Sequence, residues 1–171
     1  NSVFLYGVHS VVACILVCET GGTGSIPVGH PNFMKGACMP NVFLVSDTHF
    51  GHAGVCRFLR DDGTKLRPWD NPDEMDEHMV KVWNETVKPT DKVYHLGDVV
   101  INRKALGIMR RLNGDKVLIR GNHDIFRDDE YRQHFRELRA YHVMNGMILS
   151  HIPLHPDSLG RLDRKSTRLN S

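Results

Sequence analysis

The sequence predicts an α/β domain, on three observations. Four short apolar runs, at residues 42–45, 93–96, 116–119 and 147–150, read as buried strands bounded by turn residues. Stretches of helical periodicity separate the first three runs. Every run then ends on side chains able to hold a metal: Asp47 and His49, Asp98, Asn122-His123-Asp124, and His151. One such ending means little, because a strand must end on something polar. Four in series place a site at the carboxyl ends of strands, where open α/β sheets bind ligands.

The elements follow in order. After Val42-Phe43-Leu44-Val45, the stretch Gly51-His52-Ala53-Gly54 leads into an expected short helix at 55–60, and residues 61–69 read as a loop. Asn71-Pro72-Asp73-Glu74 starts a helix. Asn caps it, Pro takes the first position, and the acids sit at the positive end of the dipole. Its inner face is Met75, Met79, Val82 and Trp83, and it stops before Lys88-Pro89. Asn102 caps a third helix with Leu106, Met109 and Leu112 inward, ended by Asn113-Gly114. A fourth helix is expected from Asp128 to about Leu138, with Tyr131, Phe135 and Leu138 inward. Tyr141-His142-Val143-Met144 and Met147-Ile148-Leu149-Ser150, joined by Asn145-Gly146, read as a hairpin with a type I′ turn. The result is an α/β class with a mixed sheet.

Composition narrows the function classes. With 171 residues, 40% apolar and 25% charged, the chain suits a single soluble domain. Residues 39–161 hold equal numbers of acids and bases, so no polybasic field calls for nucleic acid or an anionic membrane. Of four Cys, only Cys56 lies beyond residue 39. That argues against a disulfide framework and for a reducing, cytoplasmic setting. Eleven His is a rich supply of the commonest metal ligand.

The ends differ in character from the middle. Residues 3–18 are mostly apolar, but they are short for a membrane span and lack the basic start of a signal peptide. Gly24-Ser25-Ile26-Pro27 is what GGT-TCG-ATT-CCC encodes, which resembles the TψC arm of a tRNA gene. Residues 1–38 are therefore read as a non-native extension joined to a gene that starts at Met39. Residues 39–161 are read as the domain, cut off near its end. Residues 162–171 are read as a non-native tail, because Arg164-Lys165-Ser166-Thr167-Arg168-Leu169-Asn170-Ser171 resembles a translated sequencing adapter.

The strand ends carry the chemistry. Asp47-x-His49 is expected to put two ligands on one side of extended backbone, since side chains repeat every second residue. A carboxylate with an imidazole suits Mn, Fe, Zn or Ni better than Ca or Mg. Asp98 has two oxygens and can bridge two cations, Asn122 offers a carbonyl oxygen, and His151 offers an imidazole. Two bridged metals about 3.5–4 Å apart can clamp a phosphoryl group and activate a bridging water. His123 is read as the imidazole that stabilises the oxyanion or protonates the leaving oxygen. Asp124 would hold its tautomer. His52 is read as a contact to substrate phosphate or a helix cap.

These residues resemble the calcineurin-like metallophosphoesterase family over residues 41–161. The shared pattern is Asp47-Thr48-His49, Gly97-Asp98, Gly121-Asn122-His123-Asp124 and Ser150-His151. The resemblance implies a four-layer αββα sandwich with mixed sheets. It implies Asp47, His49 and Asp98 on one divalent metal and Asp98, Asn122 and His151 on the other, with Mn favoured and Fe, Zn or Ni as alternatives. His123 is implied as the catalytic imidazole and, with Asn122, as a substrate contact. The implied substrate is a phosphate-ester small molecule or nucleotide, cleaved as a monoester or diester. The family's closing Gly-His-x-His does not occur, so each metal is expected to lack one His and the second sheet to be incomplete. This gap is the support for the alternative, a non-catalytic scaffold of the retromer type built on the same fold.

Overall fold

The computed structural model describes residues 40–144 and 147–155. The readings of residues 1–38 and 162–171, and of the Asn145-Gly146 turn, lie outside the described residues. Four strands form one parallel sheet in chain order: β1 (Val42–Val45), β2 (Lys92–His95), β3 (Asp115–Ile119) and β4 (Glu137–Arg139). Two more, β5 (His142–Met144) and β6 (Met147–Leu149), form an antiparallel hairpin. Each sheet is of one kind, in place of the mixed sheets expected. The reason is connection length. Helical crossovers return the chain to the same end of the sheet and enforce parallel strands, whereas a two-residue link enforces an antiparallel pair.

Alternation along the central strands assigns both faces. Leu44, Tyr94, Val117 and Ile119 pack with Leu149 and Met144 of the hairpin. Phe43, Val45 and Val93 pack with Val87 and Trp83, and Leu118 with Val80, Leu106, Met109, Tyr131 and Phe135. The described residues thus make three layers: helices, parallel sheet, hairpin. Both faces of the parallel sheet are covered, which is why its strands read as continuous apolar runs. No helix among the described residues is long and apolar enough to cross a membrane.

Helix α1 (Pro72–Thr86) starts as expected, with the Asn71 side chain accepting from the Glu74 N–H at 2.9 Å. The third helical segment, Arg103–Arg111, is a 3₁₀ helix capped by the Asn102 side chain on the Lys104 N–H. Leu106, Met109 and Leu112 are spaced by three, and three residues make one 3₁₀ turn, so all three reach the core. Two expected helices are corrected. Residues 53–57 form turns, and a bridge between Leu59 and Lys65 folds the segment back on itself, so no helix forms at 55–60. Val55 and Cys56 still bury against Met75. The fourth helix, α2 (Asp128–Tyr131), has four residues, after which the chain turns into β4. Tyr131 and Phe135 are buried as expected, but Leu138 faces Leu118 across a strand pair. Pairing with β3 supplies backbone partners that outweigh local helical preference.

Candidate metal centre

The site forms where β1, β2 and β3 end and where the hairpin returns. The chain beyond β1 runs beside the chain beyond β2. Asp47 N–H donates to Gly97 O at 3.0 Å, His49 N–H to Asp98 O at 3.0 Å, and Phe50 N–H to Val99 O at 2.9 Å. This pairing is not extended strand. Asp47, His49 and Asp98 have φ of 55, 48 and 57°, the left-handed region. Each costs roughly 1–2 kcal/mol for a residue with a side chain. The expectation that Asp47 and His49 converge through strand alternation is therefore corrected. They converge because both sit on left-handed backbone. Such strain concentrates at functional sites.

Asp98 is the centre. Its side chain is 5% exposed, and its two oxygens face opposite neighbours: Oδ2 lies 3.7 Å from His49 Nε2, and Oδ1 lies 3.5 Å from His151 Nε2. Asp47 Oδ1 lies 3.9 Å from His49 Nε2. Ligand atoms of Asp47, His49 and Asp98 all fall within 4.8 Å of one another. On the other side, His151 Nδ1 donates to Leu96 O at 2.8 Å, while Nε2 is 2.8 Å from Asn122 Oδ1. Nε2 thus faces two oxygens, Asn122 Oδ1 and Asp98 Oδ1, and a ring nitrogen on a backbone carbonyl is the usual support of a ligating imidazole. These donor sets fit divalent metals that take imidazole and carboxylate. Burial lowers the His49 pKa, although the Asp98 charge opposes it, which favours the neutral, ligating ring.

Glycines make this convergence possible. A Cβ on Gly121 would run into Asp98 Oδ1 and sit 2.6 Å from the Asp98 N. One on Gly97, at φ 96°, would lie 2.6 Å from the Gly121 N and 2.7 Å from His151 Nδ1. The ends of β2 and β3 therefore touch backbone to backbone.

His123 N–H donates to Asp98 Oδ1 at 3.0 Å, and its exposed ring stands edge-on to His49 with centroids 5.6 Å apart. His52 also lies beside His49, with ring centroids 5.8 Å apart, and against Phe58. Burial lowers the His52 pKa, with Arg67 and His123 adding to the shift. Asp124 has a different setting from the one expected. Its buried oxygens accept from the N–H groups of Asp98 (2.8 Å), Val99 (3.0 Å) and Gly121 (2.8 Å), and from the Tyr131 hydroxyl. It ties the β2 and β3 ends together through backbone instead of holding the His123 ring. Arg120 bonds Asp128 and the carbonyls of Asp124 and Phe126, so it braces this loop from outside.

Three residues behind the site escape sequence reading. Arg67 is buried and donates to the carbonyls of Asp47 and Thr48. Asp76, on α1, accepts the Gly51 N–H. Thr48 Oγ1 donates to Val99 O and so accepts from His95 Nε2–H at 2.9 Å. Complete burial holds His95 neutral, with its pKa near 4.

Residues 40–162 match the model of the calcineurin-like phosphoesterases, and the chain belongs to that family. Over 92 residues it is 40% identical to an uncharacterized protein of Methanocaldococcus jannaschii, covering 52% of this chain and 49% of that one. Over 91 residues it is 40% identical to the Gene 66 protein of Mycobacterium phage D29, covering 50% of this chain and 41% of that one. The chain thus spans half or less of the length of these curated relatives. A crystal structure of a protein of unknown function from Aquifex aeolicus superposes with a TM-score of 0.50 at 28% identity, covering 74% of this chain and 68% of that one.

Proposed function

We propose that this domain hydrolyses phosphate esters with two divalent metal ions, Mn favoured, on small-molecule or nucleotide substrates. The observation that carries the reading is the placement of Asp98: one carboxylate oxygen toward His49, the other toward His151, on a residue whose backbone is itself strained. Asp47, His49 and Asp98 would hold one ion, and Asp98, Asn122 and His151 the other. When bound, such ions supply Lewis acidity and lower the pKa of water. The chain's own residues do the rest. His151 is fixed by Leu96 O, and Asp98 is fixed by the His123 N–H. The exposed His123 ring, edge-on to His49, would donate a proton to a leaving oxygen or stabilise charge on phosphorus oxygens. Asn122, beside His151, and His52, beside His49, would contact the phosphate.

The test is hydrolysis of p-nitrophenyl phosphate and bis-p-nitrophenyl phosphate with added Mn, which also separates monoesterase from diesterase. His123→Ala is expected to lower the rate by about 10²–10⁴-fold with metal content unchanged. A metal-free His123→Ala protein would make His123 a ligand and overturn its role here. Mn binding without turnover of either ester would favour the scaffold reading.

A further inference from the structure

The sequence places Arg67 in a loop, but the structure buries it to 3% exposure beneath the residues that carry the first metal ligands. Nη2 donates to Asp47 O at 2.9 Å and Nη1 to Thr48 O at 3.0 Å, while Nη1 also lies 3.0 Å from Met75 Sδ. Nε is buried and has no partner. The hydrogen bonds of this guanidinium go to carbonyls and a thioether, and the nearby Asp76 spends both oxygens on the Gly51 N–H. Burying a cation in this way carries a solvation cost that only charge-assisted bonds of good geometry offset.

The two carbonyls it grips are consecutive, and that determines what the grip does. Orienting the carbonyls of Asp47 and Thr48 fixes the two peptide planes between Asp47 and His49. Those planes decide whether the two side chains point to one place. Both residues hold φ near 50°, a region that a free chain leaves. We propose that Arg67 is a positioning residue for the Asp47–His49 half of the centre: its planar fork locks the ligand loop in its left-handed form from behind. It touches neither substrate nor metal. The role rests on the metal-site reading above. Lysine could not replace it, because a single ammonium cannot present two coplanar donors to adjacent carbonyls.

The experiment uses the full chain and Mn²⁺ as the probe. Free Mn²⁺ is read by electron paramagnetic resonance during titration of wild type, Arg67→Lys and Arg67→Ala. Supporting partners of metal ligands are typically worth about 10–100-fold in affinity, and a loss of that size is expected in both variants. Methylguanidinium should restore affinity to Arg67→Ala and leave wild type unchanged, an outcome a purely bulk-stability role would not produce. A folded variant of either kind that binds Mn²⁺ as tightly as wild type overturns the proposal. If Arg67→Ala does not fold, Arg67→Lys decides. If wild type itself binds no Mn²⁺, the metal-site reading falls for this chain. The positioning role is then judged on the metal-free proteins: the amide ¹⁵N–¹H signals of Asp47 and His49 should move in Arg67→Lys, and unmoved signals would overturn it.

Discussion

The two sides of Asp98 are built differently. The Asp47–His49 side rests on buried structure: Arg67 beneath its carbonyls, the Thr48–His95 pair behind it, and Asp76 on the Gly51 N–H. The other side uses an exposed Asn122 and a His151 carried just past a three-residue strand, with Leu96 O as its anchor. The first side is set by the interior and is ready before a cation arrives. The second is assembled from two elements, the loop after β3 and the end of the hairpin, which meet at Asp98, at the 2.8 Å contact of Asn122 with His151, and through Leu149 against Val117 and Ile119. Preorganisation on one side and assembly on the other predict that the first ion binds more tightly than the second.

The strongest way to break this contrast is to remove what the sides share. Asp98→Asn should abolish ester hydrolysis and take Mn²⁺ content toward zero on both sides. Full occupancy by elemental analysis with an unchanged rate would refute the central role. Next in size is Asp124→Asn. One amide oxygen cannot take the three N–H groups that the carboxylate now accepts. Bonds to a charged group are worth about 1.5–3 kcal/mol, so stability measured by urea unfolding should fall by that order while both ions weaken. His151→Ala should act on one side only. Mn²⁺ stoichiometry should drop from two to one, and the tighter site should keep its affinity in calorimetry. Loss of both ions would show that the sides are not independent.

The smallest effect is on pH. His95 is neutral when folded, with a pKa near 4 against an ordinary value of 6.5. A depressed histidine is protonated more readily by the unfolded chain, so its contribution is present above 6.5 and is lost as pH falls toward 4. Burial raises Asp76 to about 6 from 3.8, so its contribution runs the other way, falling as pH rises through that window. The difference between wild type and His95→Gln in urea unfolding, followed from pH 7 to pH 4, isolates the first. It should shrink with acid by an amount on the order of 1 kcal/mol or more. A difference independent of pH would mean that His95 does not titrate in this range.

Much of the site was legible because its markers are local. Apolar runs ending in Asp47, Asp98, Asn122 and His151 report both the strand and its functional end. The convergence of those ends was legible only through the parallel order of the strands. What sequence could not show was the mechanism of convergence, because Asp47, His49 and Asp98 are of residue types that mark positive φ only weakly, where glycine would mark it strongly. Arg67 was hidden for a related reason. An Arg-Pro-Trp stretch after polar residues reads as surface loop, and only the tertiary fold reveals that its charge lies inside. The span from Asp128 to Leu138 misled because Tyr131, Phe135 and Leu138 satisfy helical spacing, while turn followed by strand buries Tyr131 and Phe135 equally well.

The left-handed backbone beneath Asp47 has a consequence for how such a centre persists. Asp47 is half exposed, and its side chain's hydrogen bond comes from neighbouring Ser46. Asp47→Gly would relieve a disfavoured conformation at small loss of contacts, and the fold should gain about 1 kcal/mol. The centre thus stands against the thermodynamic interest of the domain that bears it. Under laboratory evolution for heat resistance alone, ligand positions such as this would be among the first to drift to glycine. A library screened only for folding would accumulate robust proteins that bind no metal, so any such screen must keep a metal-binding readout.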